Sequence, residues 1–399
     1  VSKKQPELAI LTNIPTPYRV AFFETLAETI EKLGGMLHVF FCADTEPNRH
    51  WKIKSKDMQF SHTLLKGLHP TLFGTYAHIN PTVVGAIGRR RPTWLLSAGA
   101  WNMPTVVLAS AMGRRSTLWR LFWSEGHQDA VLHPTGLVAG IRRRCLARYD
   151  GFAVPNQRSA DYLRQQLGDG VQALPLANTV DEQFFRPASA DERAEARQLL
   201  GLPTNARVLF TAARLEPIKG VSELVEAWFK VPSTQKADAL LAIAGEGSLR
   251  DVLKIKAQMA STDSIGVRLL GHLDAIGLRR WYWAADMFVL PSHRDPNPLS
   301  PIEASFCRLP LLLSGQAGNS QDLLLEAKTG HLICELTPEG IAHVLEMALK
   351  RDIQAWRDMG TKAHELVRSK FTRRSVAEGF VSSLLEKFPA ELAVDSSSK

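Results

Sequence analysis

The sequence predicts an α/β protein made of two doubly wound units in series, and three observations carry that expectation. Short apolar runs of strand length alternate with segments whose apolar residues recur at helical spacing, which is the rhythm of parallel sheets with right-handed crossovers. The rhythm stops once, at a polar stretch bearing three prolines, "LPLANTVDEQFFRPASADERAEARQLLGLPTNA" (174–206), and then restarts. The chain has 399 residues and 45% hydrophobic content, enough for two cores.

In the first half "ELAILTN", "MLHVFFC", "TWLLSA", "TLWRLFW" and "GFAVP" read as strands, with "VAFFETLAETIEKLG" as an intervening helix. In the second half "RVLFTAA", "ALLAIAG", "GVRLLG", "MFVLP" and "LPLLLS" repeat the pattern. Helical spacing then runs over 338–388, and "PAELAVDSSSK" reads as a frayed tail. The expected organisation is a first domain over 1–182, a linker over 183–205, a second domain over 206–372, and a terminal segment over 373–399. Two such domains leave a cleft lined by strand carboxyl ends, and substrates belong there.

Residues 89–115 form an apolar span flanked by arginines, as a membrane anchor would be, but Asn102 and Pro104 interrupt it. A strand "TWLLSAG", a turn "WNMP" and a helix "TVVLASAMG" account for the same residues. Cys42, Cys145, Cys307 and Cys334 are scattered without a C-x-x-C pair, so neither a disulfide framework nor a zinc site is expected, and a reducing compartment fits. The net charge of +8 is uneven: residues 1–182 hold 21 Lys and Arg against 14 Asp and Glu. Clusters at Arg89–Arg91, Arg114–Arg115 and Arg142–Arg144 suit an anionic partner, or else a solvated face.

Four loops follow strands of the second half. In "ARLEPIKG" (213–220), Arg214 and Lys219 leave a strand end together, a pairing that suits a diphosphate. In "AGEGSLR" (244–250), Gly245 and Gly247 flank Glu246 and permit close backbone approach to a flat base or sugar edge, although the third glycine of a dinucleotide fingerprint is missing. Gly271 and His272 follow the next strand. The last loop, "PSHRDPNPLSPIEA" (291–304), sets Asp295 and Glu303 eight positions apart amid prolines that forbid a helix interior or a central strand. On this stretch alone Ser300, Pro301 and Glu303 also fit an ordinary capping box.

Together these loops resemble the donor-binding half of the family-four retaining glycosyltransferases, whose GT-B fold pairs two Rossmann-like domains. The resemblance implies that Arg214 and Lys219 hold a donor diphosphate and that Gly245, Glu246, Gly247, Gly271 and His272 frame the nucleotide base. It implies that Asp295 lies by the donor sugar and Glu303 holds ribose hydroxyls, with the amides of Asn297, Leu299 and Ser300 between them. Asp295 stands where the family usually has Glu, and Pro298 where a glycine often sits. In the first half "TNIPTPYRVAFFETLA" resembles the family's opening loop, putting Tyr18 and Arg19 on the acceptor side. "FWSEGHQD" supplies His127 as the counterpart of a sugar-facing histidine, with Glu125 as its rival.

The implied activity is transfer of a hexose from a UDP- or GDP-linked sugar to a hydroxyl with retention of configuration, in cell-surface glycan or glycolipid assembly. No Asp-x-Asp occurs, so no metal or other cofactor is expected and fixed cations take its place. The basic first half suggests a lipid-linked or polysaccharide acceptor and a cytoplasmic protein held at the anionic inner membrane face. The alternatives are a nucleotide-sugar epimerase of the same fold or a basic nucleic-acid- or membrane-binding protein; nucleic acid explains the arginines but not the loops.

Overall fold

The computed structural model of the chain describes residues 5–46, 53–72, 75–128, 131, 133–260 and 266–390. Most of the tail read as frayed, residues 391–399, lies outside them. The chain forms two compact units: residues 1–179 with 373–399, and residues 180–372.

In the first unit the strands are β1 (Glu7–Thr12), β2 (Met36–Phe41), β3 (Ser61–Leu64), a small hairpin of β4 (Thr71–Leu72) and β5 (Thr75–Tyr76), β6 (Trp94–Ala98), β7 (Trp119–Trp123), β8 (Gly151–Val154) and β9 (Ala173–Pro175). Seven of them make a parallel sheet in the order β3-β2-β1-β6-β7-β8-β9. Buried on both faces, the central strands are apolar without alternation, as β1 shows in Leu8, Ala9, Ile10 and Leu11. One face packs the helix Pro17–Glu31 and the C-terminal helix Arg373–Lys387 through Phe23, Leu26, Phe380 and Leu384. Val83, Ile87, Val106, Leu146 and Leu163 of four other helices cover the opposite face.

The second unit holds β10 (Arg207–Ala212), β11 (Ala239–Ala244), β12 (Gly266–Gly271), β13 (Met287–Leu290), β14 (Leu311–Ser314) and β15 (Gly330–Ile333). They form a parallel sheet in the order β12-β11-β10-β13-β14-β15. Sheet order reverses between β10 and β13, so the loops leaving those two strands flank the switch point where doubly wound sheets bind ligands. In the first unit the same reversal falls between β1 and β6.

One expectation needs correction. The segment 183–205 is not a linker: it contains the helix Ala190–Leu199, capped by a Ser189–Glu192 box and integral to the second unit. Arg193 and Arg197, one turn apart, donate to the carbonyls of Trp283, Ala285 and Ala284, the orphan acceptors that end the helix Ala275–Ala284. Its polarity is that of a surface helix with an arginine-bearing inner face, which composition alone does not separate from a loop. The span 89–115 resolves into β6, a turn and the short helix Pro104–Ser110, and no described helix is long and apolar enough to cross a membrane.

Candidate functional site

At the carboxyl edge of the second sheet the loops follow one another in strand order and are knitted by backbone and side-chain bonds. Beginning at β12, the carbonyl of Gly271 accepts from Gly245 N at 2.8 Å, and Glu246 Oε1 accepts from His272 N at 3.2 Å. Glu246 O in turn accepts from Leu215 N at 2.9 Å, and Glu216 accepts from the Ser248 hydroxyl at 2.7 Å. Those Ser248 bonds, helped by the nearby Arg214 charge, hold the Glu216 carboxyl below its ordinary range. Gly245 is required here for a different reason than a bound base: at φ 142° a Cβ would stand 1.9 Å from Ala213 O. The glycine lets one loop lie on its neighbour.

The chain leaving β10 passes the exposed Arg214 and turns through a 3-10 segment, Pro217–Lys219, into the helix Val221–Lys230. Gly220, at φ 66°, makes that turn against β13, where a Cβ would meet Pro291 O at 2.1 Å. Across the switch point Ile218 O accepts from both His293 N, at 2.9 Å, and Arg294 N, at 3.1 Å. His293 Nε2 pairs with Glu223 Oε1 at 3.0 Å, and the Lys219 ammonium donates to Asp295 Oδ2. Lys219 and Asp295, 76 positions apart in sequence, therefore form one largely buried ion pair, their side chains 12% and 11% exposed.

Beyond Asp295 the loop is held by Gly318 N, which donates to Asp295 O at 2.8 Å, and by buried Asn319, whose Nδ2 donates to Pro298 O at 2.7 Å. Asn297 is half-buried within this span, and Leu299 and Ser300 open the helix Ser300–Phe306, where amides lack intrahelical acceptors. The capping-box alternative fails. Leu299, not Ser300, is the N-cap, and no side chain caps the helix. Glu303 instead accepts from the Tyr282 hydroxyl at 2.8 Å. Burial raises the Glu303 carboxyl to about 7, against a smaller lowering by that hydroxyl. Tyr282 was not singled out from sequence, where it is one aromatic in an amphipathic helix.

In the first unit Arg19, in the opening turn of the helix Pro17–Glu31, donates to Thr12 Oγ1 at 3.0 Å and to Glu125 Oε1 at 3.2 Å. Its guanidinium lies 4.7 Å from the Trp123 ring centroid. The structure thus brings Arg19 and Glu125 together beside the β1–β6 reversal, with Tyr18 half-buried next to them in sequence. His127 is fully buried and presents no surface to a ligand, whereas Glu125 is partly exposed.

Residues 192–366, which contain all the second-unit loops described above, match the family model described as glycosyl transferases group 1. A D-inositol 3-phosphate glycosyltransferase of Xylanimonas cellulosilytica is 26% identical over 265 residues, 64% of this chain and 60% of the relative. The chain therefore spans less than two thirds of that relative's length. Sucrose-phosphate synthase of Thermosynechococcus elongatus superimposes with a TM-score of 0.71 at 18% identity, over 97% of this chain and 100% of the other. Anabaena Alr3699/HepE, solved in complex with UDP, gives 0.73 at 16% identity over 95% and 100%. The fold is accordingly GT-B, with two Rossmann-like units. Over residues 192–366, in its second unit, the chain is similar to the group 1 glycosyltransferases.

Proposed function

We propose that the protein is a metal-independent, configuration-retaining hexosyltransferase that moves a sugar from a UDP- or GDP-linked donor to a hydroxyl acceptor in glycan or glycolipid assembly. The observation that carries this reading is the placement of Lys219 at the switch point of the second sheet, beside Arg214 and the knitted loops at 245–247, 271–272 and 295–300. The departing nucleoside diphosphate is a polyanion, and cations fixed by the fold stabilise its developing charge without reorganising. Arg214 presents a planar fork and Lys219 a point charge, in the roles a metal ion serves elsewhere. Glu303, once ionised, accepts the ribose hydroxyls, and Asn297, Leu299 and Ser300 line the path to the sugar. The UDP complex of a fold neighbour and the inositol phosphate acceptor named for a relative are consistent with such a donor and a hydroxyl acceptor. Retention proceeds on the front face, with a donor phosphate oxygen taking the acceptor proton.

Lys219→Ala tests this. Transfer is expected to fall about 10² to 10³-fold with the second unit still folded, and to be insensitive to chelators in the parent protein. Undiminished turnover in the variant, or loss of activity under chelator, ends the assignment.

On the acceptor side we assign Arg19 to an anionic group and Glu125 to a hydroxyl, on the strength of their mutual contact beside the first sheet's reversal. We further propose that the acceptor is lipid-linked and met at an anionic membrane surface from the cytoplasmic side. One helix favours this: in Gly136–Leu146, Leu137 and Ile141 are 81% and 47% exposed while Arg142 and Leu146 are buried. Arg144, and Arg148 just past the helix, continue the outward stripe at the i, i+4, i+7, i+11 spacing, an apolar end followed by a basic end.

A further inference from the structure

The ion pair at the switch point changes what Asp295 can do. By resemblance its carboxylate would face the donor sugar. In the structure it is turned to Lys219, and the loops around the pair hold it there. Asp295 pairs with Ala317 in a parallel bridge, its carbonyl is taken by Gly318 N, and the two residues before it are tied to Ile218, next to Lys219. His293 and Glu223 add a second link, from the Asp295 loop to the helix that follows Lys219. The shorter side chain matters as well: with one methylene fewer than Glu, an Asp anchored at this backbone position reaches less far outward. We propose that Asp295 is a positioning residue that acts through Lys219 on the diphosphate, and not a ligand of the donor sugar.

The electrostatic consequence is specific. A free ammonium at this place would act on phosphate as a full positive charge, but an ammonium in contact with a carboxylate presents a neutral pair, felt from the phosphate as a dipole. The lysine keeps further N–H donors for phosphate oxygens, because one carboxylate oxygen does not exhaust them. Asp295 therefore aims the ammonium while weakening the ground-state hold on the diphosphate. The same diphosphate is retained by the enzyme as its leaving group and must then depart, so a trimmed affinity favours turnover over product retention. Arg214, exposed across the loop, contributes its charge independently of this pair.

This inference rests on the diphosphate reading above, and one experiment separates the two. Binding of UDP and of GDP, which carry no sugar, is measured by calorimetry on the full chain and on Lys219→Ala, Asp295→Asn, Asp295→Ser, Asp295→Glu and the Lys219→Ala/Asp295→Asn double variant. A sugar ligand would be silent toward these probes. A residue acting through Lys219 is not: both neutral variants are expected to bind the nucleoside diphosphate about tenfold tighter, Asp295→Glu to return to within about twofold of the parent, and the tightening to be several-fold smaller in the Lys219→Ala background, where only the carboxylate's own repulsion is relieved. The inference is overturned if the parent binds UDP or GDP through Lys219 yet both neutral variants bind it equally or more weakly, or if the tightening is as large without Lys219 as with it. If the parent binds neither nucleotide, or Lys219→Ala binds as well as the parent, the diphosphate reading itself fails. Two neutral side chains of different size keep the outcome readable should one of them lower the melting temperature.

Discussion

Among individual residues, Glu303 has the most distinctive chemistry. Its carboxyl titrates near 7 because the fold removes it from water, whereas in the unfolded chain it would titrate near its ordinary 4.5. Between those two values the folded state binds the extra proton, so the contribution to stability is complete below about 4.5 and is lost as pH rises toward 7. Glu303→Gln keeps an acceptor for the Tyr282 hydroxyl and removes the charge. It is expected to match the parent in acid and to exceed it above pH 7, by at most on the order of 3 kcal/mol. Melting curves from pH 4 to 9 would show two profiles diverging with rising pH; parallel profiles would deny the burial. Sequence reading reached Glu303, Lys219 and Asp295 as loop residues after strands, because proline and glycine punctuate those loops. It could not reach their partners. Tyr282 lies 21 positions from Glu303 and Asp295 lies 76 from Lys219, and such pairings are set by sheet order, which no local pattern encodes.

At the scale of elements, every strand named from its apolar run is present, because a strand buried on both faces must be continuously apolar. The strands without such a run are β3 and β9 at the two edges of the first sheet, β15 at an edge of the second and the two-residue strands of the β4–β5 hairpin; the sheet-edge ones are short and less apolar, as edge positions allow. The helix Ala190–Leu199 was misread for the same reason in reverse: its inward contacts are made by arginine side chains reaching carbonyls. The helix Gly136–Leu146 carries the membrane proposal. The parent is expected to float with vesicles containing a third or so of anionic phospholipid and not with neutral ones. Leu137→Ser/Ile141→Ser and Arg143→Glu/Arg144→Glu, all at exposed positions, are each expected to cost at least about tenfold in vesicle affinity. A parent that does not float removes the membrane from the account, and variants that float like the parent place the contact elsewhere.

For the whole molecule, the chain returns to its first unit at the end. Val376, Phe380, Leu384 and Phe388 complete the core beneath β1, β6 and β9, and Trp94 and Trp119 donate their indole N–H groups to the carbonyls of Phe388 and Pro389. Ending the chain after Thr372 would remove two buried phenylalanines at roughly 3 to 5 kcal/mol each, comparable with the whole stability of an ordinary domain. The truncated protein is expected to lose the first unit's melting transition and keep nucleotide binding in the second; a single unchanged transition would contradict this division. The terminal helix was legible from its spacing; its place against the first sheet is set by contacts distant in sequence, which no local pattern encodes.

The central claim is that a lysine placed where the second sheet reverses its order holds the pyrophosphate of the donor. Calorimetric titration of UDP and GDP into the parent and into Lys219→Ala tests it most directly. The account predicts saturable binding of at least one of them to the parent, weakened tenfold or more by the substitution in a protein whose second unit still melts cooperatively. Equal affinities in the two proteins would contradict it.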